Sequence, residues 1–188
     1  MNQHRTLRSL ILAALLGALT AIGAFLKIQI PVEGIPAITL QFFFTAMAGV
    51  LLGAKYGAIS QAVYVLLGLV GLPIFTMGGG FSYVLQPSFG FLVGLIPSAW
   101  VIGTLCKNAK SFWPMALGIL AGLAVLYLIG TPYMGLILNL YLGKGMSVWQ
   151  IMRAGCLLYL PGDVLKIVVC TALCLALRSR LPKALAAA

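Results

Sequence analysis

Apolar residues fill this chain in six long blocks, separated by short polar, basic or glycine-rich breaks. The blocks cover residues 9–26, 38–52, 57–70, 89–105, 113–138 and 164–177. A helix needs about 20 mostly apolar residues to cross a bilayer, so about six spans fit in 188 residues. The pattern predicts an all-α integral membrane protein with about six transmembrane helices in one bundle. Residues 1–188 read as a single domain.

The breaks carry the finer predictions. Residues 1–8 form a polar tail holding Arg5 and Arg8. Residues 27–36 form a loop in which Pro31 and Pro36 impose an extended course. Lys55 marks a short turn between the second and third blocks. Residues 71–88 are the longest stretch without a helical pattern, with Pro73, Gly78, Gly79, Gly80 and Pro87 interleaved with Phe75, Phe81 and Tyr83. Such a loop is too apolar for a solvated linker, and long loops in compact domains are commonly functional. Its glycine triplet supplies the backbone freedom of a lid. The fifth block is expected to break near Gly130, Thr131, Pro132 and Gly135. Gly143 to Gly145 form a turn, and Ser147 then caps a short amphipathic helix to about residue 158, with Gln150 at its third position. Residues 179–188 make a second tail.

Composition narrows the class. The chain is 62% hydrophobic and 7% charged, with a mean hydropathy of +1.12. That leaves little for any domain outside the bilayer. A net charge of +10 does not point to nucleic acid, because the basic residues gather at the ends of the apolar blocks. This is the positive-inside pattern. With the N-terminus inside, Arg5, Arg8, Lys55, Lys107, Lys110, Arg178, Arg180 and Lys183 are cytoplasmic, against Lys27, Lys144 and Arg153 outside. Both termini are therefore expected in the cytoplasm, and residues 71–88 on the outer face. The first block is too long for a typical signal-peptide core. Cys106, Cys156, Cys170 and Cys174 lie in or beside apolar blocks without a CxxC pair, which favours buried thiols over disulfides or metal ligands.

Acids are scarce, and one of them is out of place. Only Glu33 and Asp163 occur, and Asp163 heads the last block within Leu160-Pro161-Gly162-Asp163-Val164-Leu165-Lys166. An ionised side chain at a membrane-helix centre costs roughly 2.5–3.5 kcal/mol, less near the interface. Pro161 suits a first helical turn. Asp163 then meets the positive end of the helix, and Lys166 shares its face three residues on. Two readings stand: Asp163 caps the helix while Lys166 snorkels to the headgroups, or the pair recognises a ligand. From Asp163 to Arg178 is 15 residues, about 22 Å of helix. That places Asp163 towards the outer face, on the side of the glycine-rich loop. Thr39, Gln41, Gln86 and Asn139 are further polar candidates, and Phe75, Phe81, Tyr83 and Phe89 are candidate apolar walls. On the first block, Ala13, Gly17 and Ala21 form one line of small residues and Ala14 and Ala18 the next. These surfaces let a helix approach closely, within the protein or from a partner.

Several activities find no support. The single histidine, His4, is in the tail. No HExxH, GxSxG with a partner histidine, or GxxxxGK[ST] occurs. The chain reads as a small-molecule binder that needs an energising partner, rather than an intramembrane enzyme, with neither metal nor cofactor expected.

Across nearly its whole length the chain resembles the BioY family, the biotin-specific substrate-binding (S) components of energy-coupling-factor (ECF) transporters. The matching pieces are Ala14-Leu15-Leu16-Gly17-Ala18-Leu19-Thr20-Ala21, Pro36-Ala37-Ile38-Thr39-Leu40-Gln41, Leu66 through Phe75, Gly78-Gly79-Gly80, Pro87-Ser88-Phe89-Gly90-Phe91 and the Leu160–Lys166 segment. The resemblance implies a six-helix bundle in a prokaryotic cytoplasmic membrane, with biotin held near the outer surface. It implies a transmembrane coupling protein and two cytoplasmic ATPases as partners. Ala14 and Ala18 match the family's AxxxA motif, which contacts the coupling protein, and Asp163 and Lys166 match its polar binding pair. The chain departs from the family at the fourth-helix entrance, where Ser88-Phe89-Gly90 stands in place of a threonine and two glycines. The alternative within the same transporter class is another vitamin, thiamin or riboflavin.

Overall fold

The computed structural model describes residues 3–29 and 35–180. Pro31, Glu33 and Lys183 lie outside the described residues. The first helix, α1, spans Gln3–Phe25 and takes up most of the expected polar tail. A two-residue ribbon follows: β1 (Lys27–Ile28) pairs antiparallel with β2 (Ile38–Thr39), Lys27 opposite Thr39. The second block was expected to be helical from residue 38. Its first two residues are strand instead, because the ribbon claims their backbone, and the helix begins at Gln41.

Helix α2 spans Gln41–Leu69 and contains one non-helical residue, Gly53, at φ +76°. Only glycine takes that conformation without strain, so the chain reverses there, two residues before Lys55. The reversal is visible in the side chains. Thr45 Oγ1 donates to Gln61 Oε1 at 2.9 Å, and Gln41 Nε2 donates to Tyr64 Oη at 2.8 Å. In one straight helix, 16 residues would separate Thr45 from Gln61 by about 24 Å. The arms 41–52 and 54–69 are thus antiparallel. Gly103 lets the end of the next helix sit on the turn, since a Cβ there would lie 2.2 Å from Ala54 N.

Helix α3 covers Phe89–Leu105, as the apolar pattern predicts. Helix α4 covers Phe112–Leu136 and does not break at Gly130 or Pro132. Two neighbours hold that region in register. The Phe91 ring rests on bare Gly130, where a Cβ would come within 2.2 Å, and Thr131 Oγ1 donates to Gly155 O at 3.3 Å. The irregularity appears later, as a π turn over Ile137–Tyr141. Helix α5 is short, Val148–Met152, with the expected capping box between Ser147 and Gln150. A second π turn, Arg153–Leu157, leads into α6, Leu160–Arg180.

Helices long and apolar enough to cross a membrane are Thr6–Phe25, Gln41–Leu69, Phe112–Tyr141 and Val148–Ser179, with Phe89–Leu105 a shorter apolar one. This is a mostly helical membrane protein. Its core joins α1, both arms of α2, α3, α4 and α6 around Leu16, Val50, Tyr64, Ile102, Ile119 and Cys170. The four cysteines are free, and Cys170 and Cys174 face a packed seam with their sulfurs 3.9 Å apart. At the end of the bundle away from Asp163, the Arg178 guanidinium donates to the carbonyls of Cys106 (2.9 Å), Ala109 (3.1 Å) and Val50. One cation thus satisfies orphan carbonyls where two helical segments stop.

Candidate functional site

Helix α6 starts at Leu160, so Asp163 falls in its first turn, where the partial positive charge of the helix end favours a carboxylate. It is 4% exposed. Lys166 forms an ion pair with Asp163 Oδ1 across one helical turn and donates to Thr39 O at 3.0 Å. Tyr127, from the middle of α4, donates its hydroxyl to Asp163 Oδ2. Four residues before Asp163, Tyr159 Oη donates to Pro36 O at 2.5 Å and holds the β2 approach against α6.

These groups line a cavity between the start of α2, the helices α3, α4 and α6, and the loops 35–39 and 76–88. It encloses about 650 Å³ of empty space, its open mouth included. One wall is polar: Asp163, Lys166, Tyr127, Tyr159, Thr39 and Gln41. The apolar part of the lining comprises Phe42, Phe91, Leu92, Leu95 and Leu126. Thr76, Tyr83 and Ser88 form a third, hydroxyl-bearing side, with Tyr83 Oη 2.8 Å from Thr76 Oγ1 and accepting from Ser88 Oγ at 3.1 Å.

Gln41 ties this wall to the loop beyond. Its Oε1 accepts from Thr39 Oγ1 at 3.0 Å, its Nε2 donates to Tyr64 Oη, and Tyr64 Oη donates to Ile74 O at 3.1 Å. The 71–88 loop is anchored by packing. Phe75 is fully buried between Tyr64 and Tyr83, its ring against bare Gly68, where a Cβ would lie 2.1 Å away. Gly71, Gly78 and Gly80 all have positive φ, and Gly80 N bonds Gly68 O at 2.7 Å. The glycines thus serve tight turns and close approach.

Of the residues singled out by sequence, the cavity brings together Asp163, Lys166, Thr39, Gln41 and Tyr83. Phe75, Gln86, Phe89 and Asn139 do not line it. Phe89 packs on Tyr133, 5.9 Å between ring centres. Both ends of the Asn139 amide close the turn before α5, on Met146 O at 2.8 Å and Met146 N at 2.7 Å. Phe81 points outwards, 79% exposed. Tyr127, Tyr159, Phe91, Thr76 and Ser88 complete the lining beyond what sequence reading found. Tyr127 had a legible signal: a hydroxyl deep in an apolar helix needs a buried partner, and Asp163 is the acid a membrane-buried hydroxyl could reach.

The wall's residual bonding capacity follows from counting. An ammonium has three donors, and Lys166 uses two, on Asp163 and Thr39. A carboxylate has about four lone-pair sites, and two on Asp163 are filled, by Lys166 and Tyr127. A free donor and a free acceptor thus stand side by side in a buried, charge-balanced setting. On α1, the line through Ala13 and Gly17 packs inward, Gly17 close to Ser60 O, while Ala14 and Ala18 remain exposed.

Comparison with known proteins agrees with this arrangement. A profile described as the BioY family matches residues 1–183. A Lysinibacillus sphaericus protein named "Probable biotin transporter BioY" is 42% identical over 157 residues, covering 82% of this chain and 78% of its own. The Thermotoga maritima "Biotin transporter BioY" is 37% identical over 174 residues, 92% of this chain and 96% of its own. A crystal structure of "the S-component for biotin from an ECF-type ABC transporter" superposes with a TM-score of 0.83 and 27% identity, covering 96% of each chain.

Proposed function

Because the chain belongs to the BioY family, we propose that it captures biotin and serves in vitamin uptake as the S component of an ATP-driven ECF transporter. The observation that carries this reading is the buried Asp163–Lys166 pair in the cavity wall. The fused rings of biotin present a cyclic urea, with two N–H donors and one C=O acceptor. Asp163 has an acceptor site to spare and Lys166 a donor to spare, side by side. An Asp163 oxygen accepts a ureido N–H and Lys166 donates to the ureido oxygen. Charge-assisted bonds of this kind contribute about 1.5–3 kcal/mol each. Phe42, Phe91, Leu92 and Leu126 receive the thioether ring and the alkyl chain. Thr39, Gln41 and Tyr83 complete the contact shell.

In this reading the chain crosses a prokaryotic cytoplasmic membrane six times, through α1, the two arms of α2, α3, α4 and α6. Both termini lie in the cytoplasm, and the cavity opens to the outside. The exposed Ala14 and Ala18 on α1 receive a transmembrane coupling protein, and two cytoplasmic ATPases supply the energy. The S component itself carries out no chemistry on the vitamin.

Calorimetric titration of detergent-purified protein with biotin, thiamin and riboflavin tests the assignment. Saturable one-to-one binding of biotin alone, recovered chemically unchanged, is the expected result. Preference for another vitamin, or release of a modified product, would overturn it.

A further inference from the structure

Biotin is an acid as well as a urea, and its carboxylate must end somewhere. An ionised carboxylate taken from water without a partner is costly, so the site needs a cation at the far end of the alkyl chain. Lys166 does not serve, since its ammonium already neutralises Asp163. Arg178 is 15 residues along α6 from Asp163 and is spent on the carbonyls of Val50, Cys106 and Ala109.

Lys27 does not line the cavity itself but touches two residues that do. On β1 it is paired with Thr39 of β2, and its Nζ donates to Thr76 O at 2.5 Å. Thr39 and Thr76 both line the cavity, and Lys27 itself is exposed. The ammonium therefore sits where the ribbon and the 76–88 loop meet at the rim. Among the described residues its one side-chain bond is to a neutral carbonyl, which leaves two of its three donors and its charge unmatched by them. Among the described residues no carboxylate pairs with it.

We propose that Lys27 receives the substrate's carboxylate and makes the site selective for the free acid. This rests on the biotin reading above, and it places the two ends of the ligand on two lysines held by one strand. Lys166 bonds the carbonyl of Thr39 and Lys27 lies directly across the ribbon from the same residue. A strand pair holds facing Cα atoms about 5 Å apart, so Lys27 cannot drift from the wall that carries the ring site. Holding the carboxylate at the rim also keeps its hydration partly intact, which lowers the cost of binding a charged ligand.

The competing role is a strut, in which Lys27 only ties the ribbon to the loop through Thr76. Ligand variation separates the two. Purified wild-type protein, Lys27→Met and Lys27→Arg are titrated with biotin and with biotin methyl ester, which keeps the rings and chain but has no charge. The wild type should bind biotin about tenfold more tightly than the ester, the size of one charge-assisted bond. Lys27→Met should lose about tenfold for biotin and under twofold for the ester, while Lys27→Arg retains the preference. Equal losses for both ligands in Lys27→Met would leave only the strut, and an unchanged biotin affinity would remove Lys27 from the site. A wild type that binds neither ligand sinks the biotin reading itself, before Lys27 enters.

Discussion

At the scale of single residues, the site turns on a buried charge pair whose members depend on each other unequally. Asp163 has three sources of stabilisation: the helix start, Lys166 and Tyr127. Lys166 has one carboxylate and one carbonyl. Removing one partner of a buried pair leaves an uncompensated charge, at about 3–5 kcal/mol, whereas replacing both with neutral groups is far milder. Lys166→Met should therefore lower the thermal midpoint in detergent more than the double change Asp163→Asn/Lys166→Met does. Asp163→Asn keeps the shape but leaves the Lys166 ammonium without its carboxylate, so it should lower the thermal midpoint while the protein still folds, and lose biotin affinity by at least tenfold. Thermal unfolding followed by calorimetry on the same samples separates the two effects. Wild-type affinity in monodisperse Asp163→Asn protein would end the ligand role of this acid. The pair was legible in sequence because charge is so rare here. The aromatic lining was not. Lipid is as apolar as a protein core, so nothing in the apolar pattern tells Phe91, which faces the cavity, from Phe81, which faces out.

At the scale of elements, glycine decides more than proline does. Gly53 sets the reversal in α2 and Gly68 seats Phe75, while Pro132 passes through α4 without ending it. Sequence reading weighted Pro132 as a break because local propensity opposes it. The Phe91 and Gly155 contacts that override propensity come from α3 and the turn before α6, outside any local window. The same logic makes Gly68→Ala a test of how the 71–88 loop shapes the cavity. A Cβ at 68 would lie 2.1 Å from the Phe75 ring, and Phe75 packs at a tilt on Tyr83 with ring centres 4.7 Å apart. The methyl should push the ring towards Tyr83, lowering both the thermal midpoint and biotin affinity several-fold. Loss of stability with binding intact would uncouple the loop from the site. On α1 the expected separation is the reverse. Ala14 faces away from the bundle, so Ala14→Trp should bind biotin as the wild type does but fail to support uptake in cells with the ECF partners. Normal uptake by that variant would exclude Ala14 from the docking face.

At the scale of the whole molecule, the path of α2 fixes which side of the membrane everything after it occupies. By length alone, Gln41–Leu69 could be one tilted crossing: 29 residues make about 43 Å of helix. The hydrogen bonds between its arms, Thr45 to Gln61 and Gln41 to Tyr64, instead fold it into an antiparallel hairpin, which in the proposed topology crosses and returns. One crossing or two changes the parity of the chain. With two, Lys107 after α3 shares a side with Lys55 and the N-terminus, and Lys144 lies on the opposite side. With one, Lys107 moves to the side away from the N-terminus. In a background where Cys106, Cys156, Cys170 and Cys174 are replaced by alanine or serine, cysteines introduced at 55, 107 and 144 report this directly. A membrane-impermeant maleimide added to intact cells should label only the cysteine at 144, while those at 55 and 107 should react after permeabilisation. Labelling at 107 from outside would mean that α2 crosses once. Thr39 before α2 and Lys166 at the start of α6 would then lie on opposite sides of the membrane, which the 3.0 Å bond from Lys166 Nζ to Thr39 O does not allow.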